Sequence, residues 1–290
     1  MAAIITNKFR INNAEQFVES FSETDATTYY LFIGRSHSWA SDADVQGNTI
    51  NEGTDASPPT PNDDVTSEFY NYDDMLGAKL ISSSDVSHVI PRRNWTTGTT
   101  YDIYRHDYGE RITGTTTAQT SNSGVSTLFD ANFYVLTTAR NVYKCLDNDG
   151  NTPSIEEPIG TATTVQTTTD GYKWKYMYTL SASQQANFLS TDFMAVETNS
   201  TVSSAAVDGA IDVVKIKTPG SGGANGTHTG IAIRGDGSNG QVSVTVAGGV
   251  VTAVTVTNAG TGYTFGTISN AQIVAAGAVS YTHLTLPTKA

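Results

Sequence analysis

Between Tyr172 and Leu180 the chain alternates strictly. Tyr172, Trp174, Tyr176, Tyr178 and Leu180 fall on one face of an extended segment, and Lys173, Lys175, Met177 and Thr179 on the other. Strand side chains switch faces at every residue, so this period of two specifies a long β-strand with one aromatic face. Asp170-Gly171 just before it is a turn signal. A row of large aromatics needs a broad apolar surface. It either packs into the core of a β-domain or stands as an exposed platform, and core packing is the usual use of such a face. Tyr172, Trp174, Tyr176 and Tyr178 are therefore expected scaffold residues. Cys145, in the apolar run ValTyrLysCysLeu, is expected to join them as a buried, unreactive thiol.

The 290 residues allow roughly two domains and a core that needs neither disulfides nor metals. Charged residues make up only 15%, with 26 glycines and 14 tyrosines against 10 phenylalanines, a mix suited to β-structure with many turns. A net charge of −12 argues against nucleic acid bound through a broad phosphate-contacting surface. The single cysteine excludes an intrachain disulfide and a cysteine-based zinc site. No apolar run reaches the roughly 18 residues of a membrane span. The N-terminal MAAIITNKF lacks the apolar stretch of a signal peptide, so assembly in a cytoplasm is expected.

In chain order, residues 4–9 read as a short strand. Asn12 is placed to cap a helix near 12–23, with Glu15 as capping-box partner and Ala14, Phe17, Val18 and Phe21 as its apolar stripe. Residues 27–33 have β-propensity. Residues 36–78 hold no Lys or Arg. The acidic first half of that stretch, with Asp42 and Asp44, is either a solvated loop or a patch that meets a basic partner. Asn62 is placed to cap a second helix near 62–76, carrying Val65, Phe69, Tyr72 and Leu76. Residues 79–82 read as a strand and 84–90 as a helical turn closed by Pro91. Residues 96–127 read as loops with an exposed strand at 101–105. Strands are expected at 133–138 and 141–146, a tight turn at 147–151, and a short helix at 182–189 begun by a Ser181/Gln184 capping box.

Residues 203–278 form a different region, rich in Gly, Val and Thr, that repeats itself. ValLysIleLysThrProGlySerGly (214–222) matches ValThrValThrAsnAlaGlyThrGly (254–262) at a forty-residue offset. Each unit is an alternating strand followed by a Gly-x-Gly turn, and two such units need one another to bury their Val/Ile faces. Gly248-Gly249 is a hairpin signal. Residues 279–290 do not continue the pattern and read as a non-native tail. The expected fold is mainly β and β-sandwich-like with a few short helices. It is α+β at the N-terminus and ends in a Gly-rich all-β module.

Catalytic constellations do not emerge. His37, His88, His106, His228 and His283 are scattered, and neither a GxSxG nor a GxxxxGK[ST] motif occurs. Asp147–Asn151 starts like a calcium loop, but its sixth and twelfth positions hold Thr152 and Pro158 where Gly and Glu are required. No catalytic, cofactor-binding or metal-ligating residue is assigned, and the chain reads as a non-enzyme. Arg234-Gly235-Asp236 reads as a turn rather than an adhesion motif. Arg92, Arg93 and Trp95 are candidate subunit-interface residues, together with Asp42 and Asp44, because Arg and Trp are enriched at interface hot spots. The alternative is a pair of surface arginines that neutralise the acidic loop.

Four blocks carry a family resemblance: PheIleGlyArgSer (32–36), ValIleProArgArgAsnTrp (89–95), ValTyrLysCysLeuAsp (142–147) and AspGlyTyrLysTrpLysTyrMetTyr (170–178). In this order, with IleThrAsnLysPheArg (5–10) ahead of them, residues 4–197 resemble the baseplate wedge proteins of T4-like contractile-tailed bacteriophages, the wedge subunit historically numbered eight. The resemblance implies a virion structural protein built of β-sandwich domains, a homodimer that contacts other wedge proteins and rearranges when the tail contracts. It implies neither cofactor nor nucleic-acid or membrane partner. The region from 203 onward departs from the family. The alternative function is a glycan- or host-surface-binding module in which the Gly-rich hairpins and Tyr263 hold sugar.

Overall fold

The computed structural model describes residues 6–34, 54, 56–57, 75–105, 108–109, 118–268 and 283–285. The chain divides into two units, residues 1–88 and 89–290, described here in turn.

In the first unit, helix α1 (Asn7–Glu19) starts before the expected Asn12. Thr6 is its cap, with Oγ1 accepting from the Phe9 N–H at 3.3 Å. The hydroxyl-capped turn at Thr6 takes residues 7–9 into the helix, where a strand was expected, and leaves Asn12 in the helix interior. At the other end Ser20 closes the helix, its hydroxyl donating to Phe17 O at 2.7 Å. Phe17, Phe21 and Tyr29 then cluster with ring centroids 4.6–5.4 Å apart. Strand β1 (Tyr29–Gly34) pairs antiparallel with β2 (Met75–Ile81). Residues 75–76, expected to end a helix, are thus extended. Residues 62–74 of that expected helix lie outside the described residues, as do Asp42 and Asp44. The helical turn expected at 84–90 is a single 3-10 turn, Ser83–Asp85. Asp85 receives the Lys79 ammonium and the Ser82 N–H and hydroxyl, and these bonds, Lys79's first, hold its carboxyl at about 2.

The second unit opens with β3 (Val89–Pro91), extended where the helical turn was expected to continue. There follow β4 (Tyr134–Leu136), β5 (Asn141–Asp147), β6 (Gln166–Thr167), β7 (Lys173–Thr179), helix α2 (Ala182–Phe188), β8 (Phe193–Ala195) and helix α3 (Ser200–Ala205). One antiparallel sheet has the order β4-β5-β7-β6, and β3 pairs with β8. The Ser181/Gln184 capping box of α2 is formed. Helix α3 had no sequence expectation; Asn199 caps it, accepting from Val202 N at 3.0 Å. Residues 101–105 form neither a strand nor an exposed segment. Tyr101, Asp102 and Ile103 are buried, because Tyr101 packs edge-on against Trp174 at 5.6 Å between ring centroids.

The chain continues through β9 (Lys215–Thr218), β10 (Gly226–Ala232), β11 (Arg234–Gly235), β12 (Gln241–Ala247), β13 (Val250–Asn258), β14 (Gly266–Ile268) and β15 (His283–Thr285). These make two sheets, β10-β12-β13 and β11-β14-β15-β9. Ile211, Val214, Ile231, Val242, Val244, Val251 and Ile268 meet in one apolar core that draws on strands of both. Gly248 and Gly249 turn β12 into β13 with φ of +60° and +78°, the double positive φ of a tight hairpin. Strand β15 lies in the stretch read as a tail; its backbone pairs with β14 on one side and β9 on the other. The architecture is mainly β, with several sheets and few short helices.

Candidate functional site

The aromatic face of β7 is the centre of the first sheet. Tyr172, Trp174 and Tyr176 pack with Tyr101, Ile103, Val135, Tyr143 and Cys145, while Tyr178 and Leu180 pack with Leu136, Val142, Met194 and Ala195. Trp174 has no exposed surface and stacks on Tyr172 at 5.4 Å between centroids and 17° between planes. The phenol groups are bonded inside the fold: Tyr172 donates to Thr152 O at 2.5 Å, Tyr178 to Ala195 O at 3.0 Å, and Tyr143 to Gly160 O. Burial pushes the Tyr172 and Tyr178 phenols up. Cys145 lies opposite Trp174 across β5 and β7, and burial pushes its thiol well up. The thiolate is the reactive form. Native protein is therefore expected to resist iodoacetamide, and protein in urea to be alkylated; rapid native labelling in a mass-spectrometric time course contradicts this burial.

Two aspartates tie loops to the sheet. Asp170 Oδ2 accepts from Ser154 Oγ at 3.0 Å, Ile155 N at 2.7 Å and Glu156 N at 3.1 Å, and its Oδ1 from Thr168 Oγ1 at 2.5 Å. Burial acts to raise its carboxyl, but these bonds outweigh burial and hold it below the usual range. A carboxyl lowered by folding contributes stability above its unfolded value, about 3.9 for Asp, and that contribution is lost as pH falls through the folded value. Asp170→Asn is expected to lose about 1–2 kcal/mol at neutral pH. The gap to wild type narrows at acid pH; an equal gap at both pH values, read from urea midpoints, contradicts the assignment. Asp102, 1% exposed, accepts from Ser123 N at 2.9 Å, Ser123 Oγ at 2.7 Å and Asn132 N at 2.6 Å. Asn148 plays a similar part in the 147–151 turn. Its amide donates to Tyr101 O at 2.9 Å, so this turn serves the core.

The opposite face of β7 is cationic. Lys175 bonds Asp212 at 2.5 Å, and Lys173 lies 3.4 Å from Asp147. Lys144 sits directly opposite Lys175, with its ammonium 4.2 Å from the centre of the Tyr104 ring. Burial first, and then the Lys175 charge, lower it to about 8. Among the described residues no group of three or more His, Cys, Asp and Glu is placed to hold a metal ion. None of the described helices is long and apolar enough to cross a membrane.

The candidate interface residues make bonds within their own chain. Arg92 donates to Asn94 Oδ1 at 2.9 Å and Ser190 O at 2.8 Å. Arg93 donates to Ala131 O at 2.8 Å and lies over the Tyr134 ring at 4.9 Å. Trp95 donates to Ser154 Oγ at 3.1 Å and packs against the aromatic core. All three remain partly exposed.

Tyr263 is no exposed platform for sugar: it is 3% exposed, its hydroxyl donating to Ile233 O at 3.2 Å and accepting from Gly240 N at 3.1 Å. Gly235, Gly237, Gly240 and Gly260 surround its ring so closely that a Cβ on any of them would meet it within 3.0 Å. Asp236 of the Arg-Gly-Asp tripeptide receives Thr264 N at 2.9 Å, Phe265 N at 3.2 Å and the Thr264 hydroxyl, and sits at about 2. It is committed to the turn before β14.

Comparison with known proteins agrees with a scaffold of this kind. The sequence model of the Phage-Gp8 family (Bacteriophage T4, Gp8) matches residues 3–153, more than half of the chain. Baseplate wedge protein gp8 of Enterobacteria phage T4 is 25% identical over 209 residues, which cover 67% of this chain and 60% of that protein. The chain thus spans less than two-thirds of the length of that relative. The matched residues include β1, β3 and β5, and the chain belongs to the family of phage T4 Gp8.

Proposed function

We propose that this chain is a structural subunit of a phage tail baseplate wedge. On this reading it resides in the virion, is a homodimer, and holds neighbouring wedge proteins together through the rearrangement of the baseplate on contraction. Membership of the Gp8 family carries the reading. The use of side chains supports it: the Tyr143, Tyr172 and Tyr178 hydroxyls, the Asp102 and Asp170 carboxylates, and Arg92 and Arg93 are held by internal bonds, the pattern of a scaffold rather than of a reaction centre. The β1–β2 ribbon supports it as well. Tyr30, Phe32 and Leu80 share one face and Leu31 and Ile33 the other; all of these and Leu76 are exposed, and exposed apolar surface marks protein interaction sites.

The test is co-elution of the chain with the other wedge proteins of its own phage. Wild type is expected to enter the complex. Ile33→Asp is expected to stay outside while its circular dichroism is unchanged. A chain that elutes alone with every wedge protein yet binds a host-surface glycan saturably overturns the proposal in favour of an adhesin.

A further inference from the structure

The face of the β5–β7 pair that carries Lys175 also carries an amine with no anion of its own. Lys144 on β5 and Lys175 on β7 occupy directly opposite positions of the antiparallel pair. Opposite residues share a face, with Cβ atoms about 4.5–5.5 Å apart, and like charges placed so repel. Lys175 has an anion, Asp212, at 2.5 Å. Lys173, two residues back on the same face, has Asp147 at 3.4 Å. The Lys144 ammonium makes neither a hydrogen bond nor an ion pair among the described residues. What it meets is the Tyr104 ring, 4.2 Å away at the centroid, and that ring is itself held edge-on by Phe133 at 5.2 Å.

The amine is reachable. Among the described residues only Trp174 Nε1 is a fully buried side-chain polar atom without a partner, so the unbonded Lys144 ammonium retains contact with solvent. Charge around it is unevenly shared. Lys144, Lys173, Lys175, Lys215 and Arg105 outnumber Asp147, Asp149 and Asp212, in a chain whose net charge is −12. Burial and the Lys175 charge hold the Lys144 amine at about 8 instead of 10.5. About half of it is therefore uncharged at pH 8, against roughly 0.3% of a lysine at the ordinary value.

We propose that Lys144 is a carbamylation site: its amine takes up carbon dioxide, and Lys175 holds the product. The nitrogen lone pair attacks the carbon of CO2 and an N–C bond forms. One C=O bond yields its electron pair to oxygen, and the amine proton passes to water. The products are an N-carboxylate and a released proton, with no oxidant, reductant or further reactant. CO2 is small, uncharged and apolar, which suits a partly exposed amine beside an aromatic ring. A lysine ammonium has three donors, so Lys175 can bond the new carboxylate while it keeps Asp212. The step turns a like-charge pair across β5 and β7 into an ion pair. Asp212 opposes the new anion, and the surplus of cations around the pair offsets it. The inference stands apart from the baseplate reading, because it rests on one strand pair alone.

The full chain is equilibrated with bicarbonate and dissolved carbon dioxide at about pH 8, and carbamates are trapped as ethyl esters with triethyloxonium ion. Peptides are then read by mass spectrometry; the α-amino group reacts as well and is told apart by its own peptide. Trapping at Lys144 is expected to be at least about ten-fold that at the exposed Lys8. In guanidinium chloride, where the strand pair is lost, Lys144 is expected to fall to the level of Lys8. Lys175→Met is expected to lower trapping at Lys144 several-fold. Trapping at native Lys144 no greater than at Lys8 overturns the proposal, as does equal trapping in the native and the unfolded chain. Neither result depends on the folding of a variant. Undiminished trapping in Lys175→Met overturns the part given to Lys175.

Discussion

Trp174→Ala is expected to cost about 3–5 kcal/mol, the range for truncating a buried large aromatic. Whole domains are stable by only about 5–15 kcal/mol, so the β4-β5-β7-β6 sheet is left marginal or unfolded. The indole has no exposed surface, stacks on Tyr172, meets Tyr101 edge-on and faces Cys145 across the strand pair. Its removal opens a cavity among groups fixed from several sides, which cannot close by a simple rotamer change. The measurement is the urea midpoint by circular dichroism, paired with the rate of Cys145 alkylation without denaturant. The midpoint is expected to fall and the thiol to become reactive. A soluble variant with an unchanged midpoint and a protected thiol that nonetheless fails to join wedge complexes makes Trp174 a docking residue instead.

Gly260→Ala is expected to be among the most damaging small substitutions in the C-terminal module. A Cβ there stands 2.5 Å from Ser238 O, 2.6 Å from Tyr263 Cε2 and 2.7 Å from Gly240 N. The backbone φ of +64° adds roughly 1–2 kcal/mol for any L side chain, and overpacking about 1–3 kcal/mol more. Gly248→Ala is the control: its φ is +60° but nothing lies within 4 Å of the new Cβ, so only the backbone cost applies. Hydrogen exchange in β10, β12 and β13 separates the two, with a much larger rise expected for Gly260→Ala. Equal rises place the cost in the backbone alone and remove the cage around Tyr263 as its cause.

What could be read from the sequence was local. The alternation of β7, the Gly-Gly hairpin, the Ser181 capping box and the forty-residue repeat each lie within a short window or compare two such windows. What escaped was set by distant partners. Asp102 sits in a segment read as exposed, and its hydrogen-bond donors at Ser123 and Asn132 are 21 and 30 residues away. Asp170 reads as a turn residue, yet it organises a loop 14–16 residues upstream. Tyr263 looked like a platform because the glycines around it suggested an open hairpin; they are small because the ring lies against them. The start of α1 was misplaced because Thr6 and Asn12 are both plausible caps, and one-dimensional pattern cannot choose between them. Of the candidate interface, Arg92, Arg93 and Trp95 are seen to be anchored within the chain, while Asp42 and Asp44 fall outside the described residues.

The pairing of β9 with β15 sets a limit on the order of events during synthesis. The β10-β12-β13 sheet can close once Asn258 has been made, since its three strands are nearly contiguous in the chain. Its twin cannot, because Thr218 must wait for His283, 65 residues later. Contacts so distant in sequence make for slow folding, and an unpaired strand is prone to stick to other chains in the meantime. While the ribosome works through the intervening residues, β9 is a made strand without its neighbour. The first sheet is therefore able to form before the strands of the second have all been made.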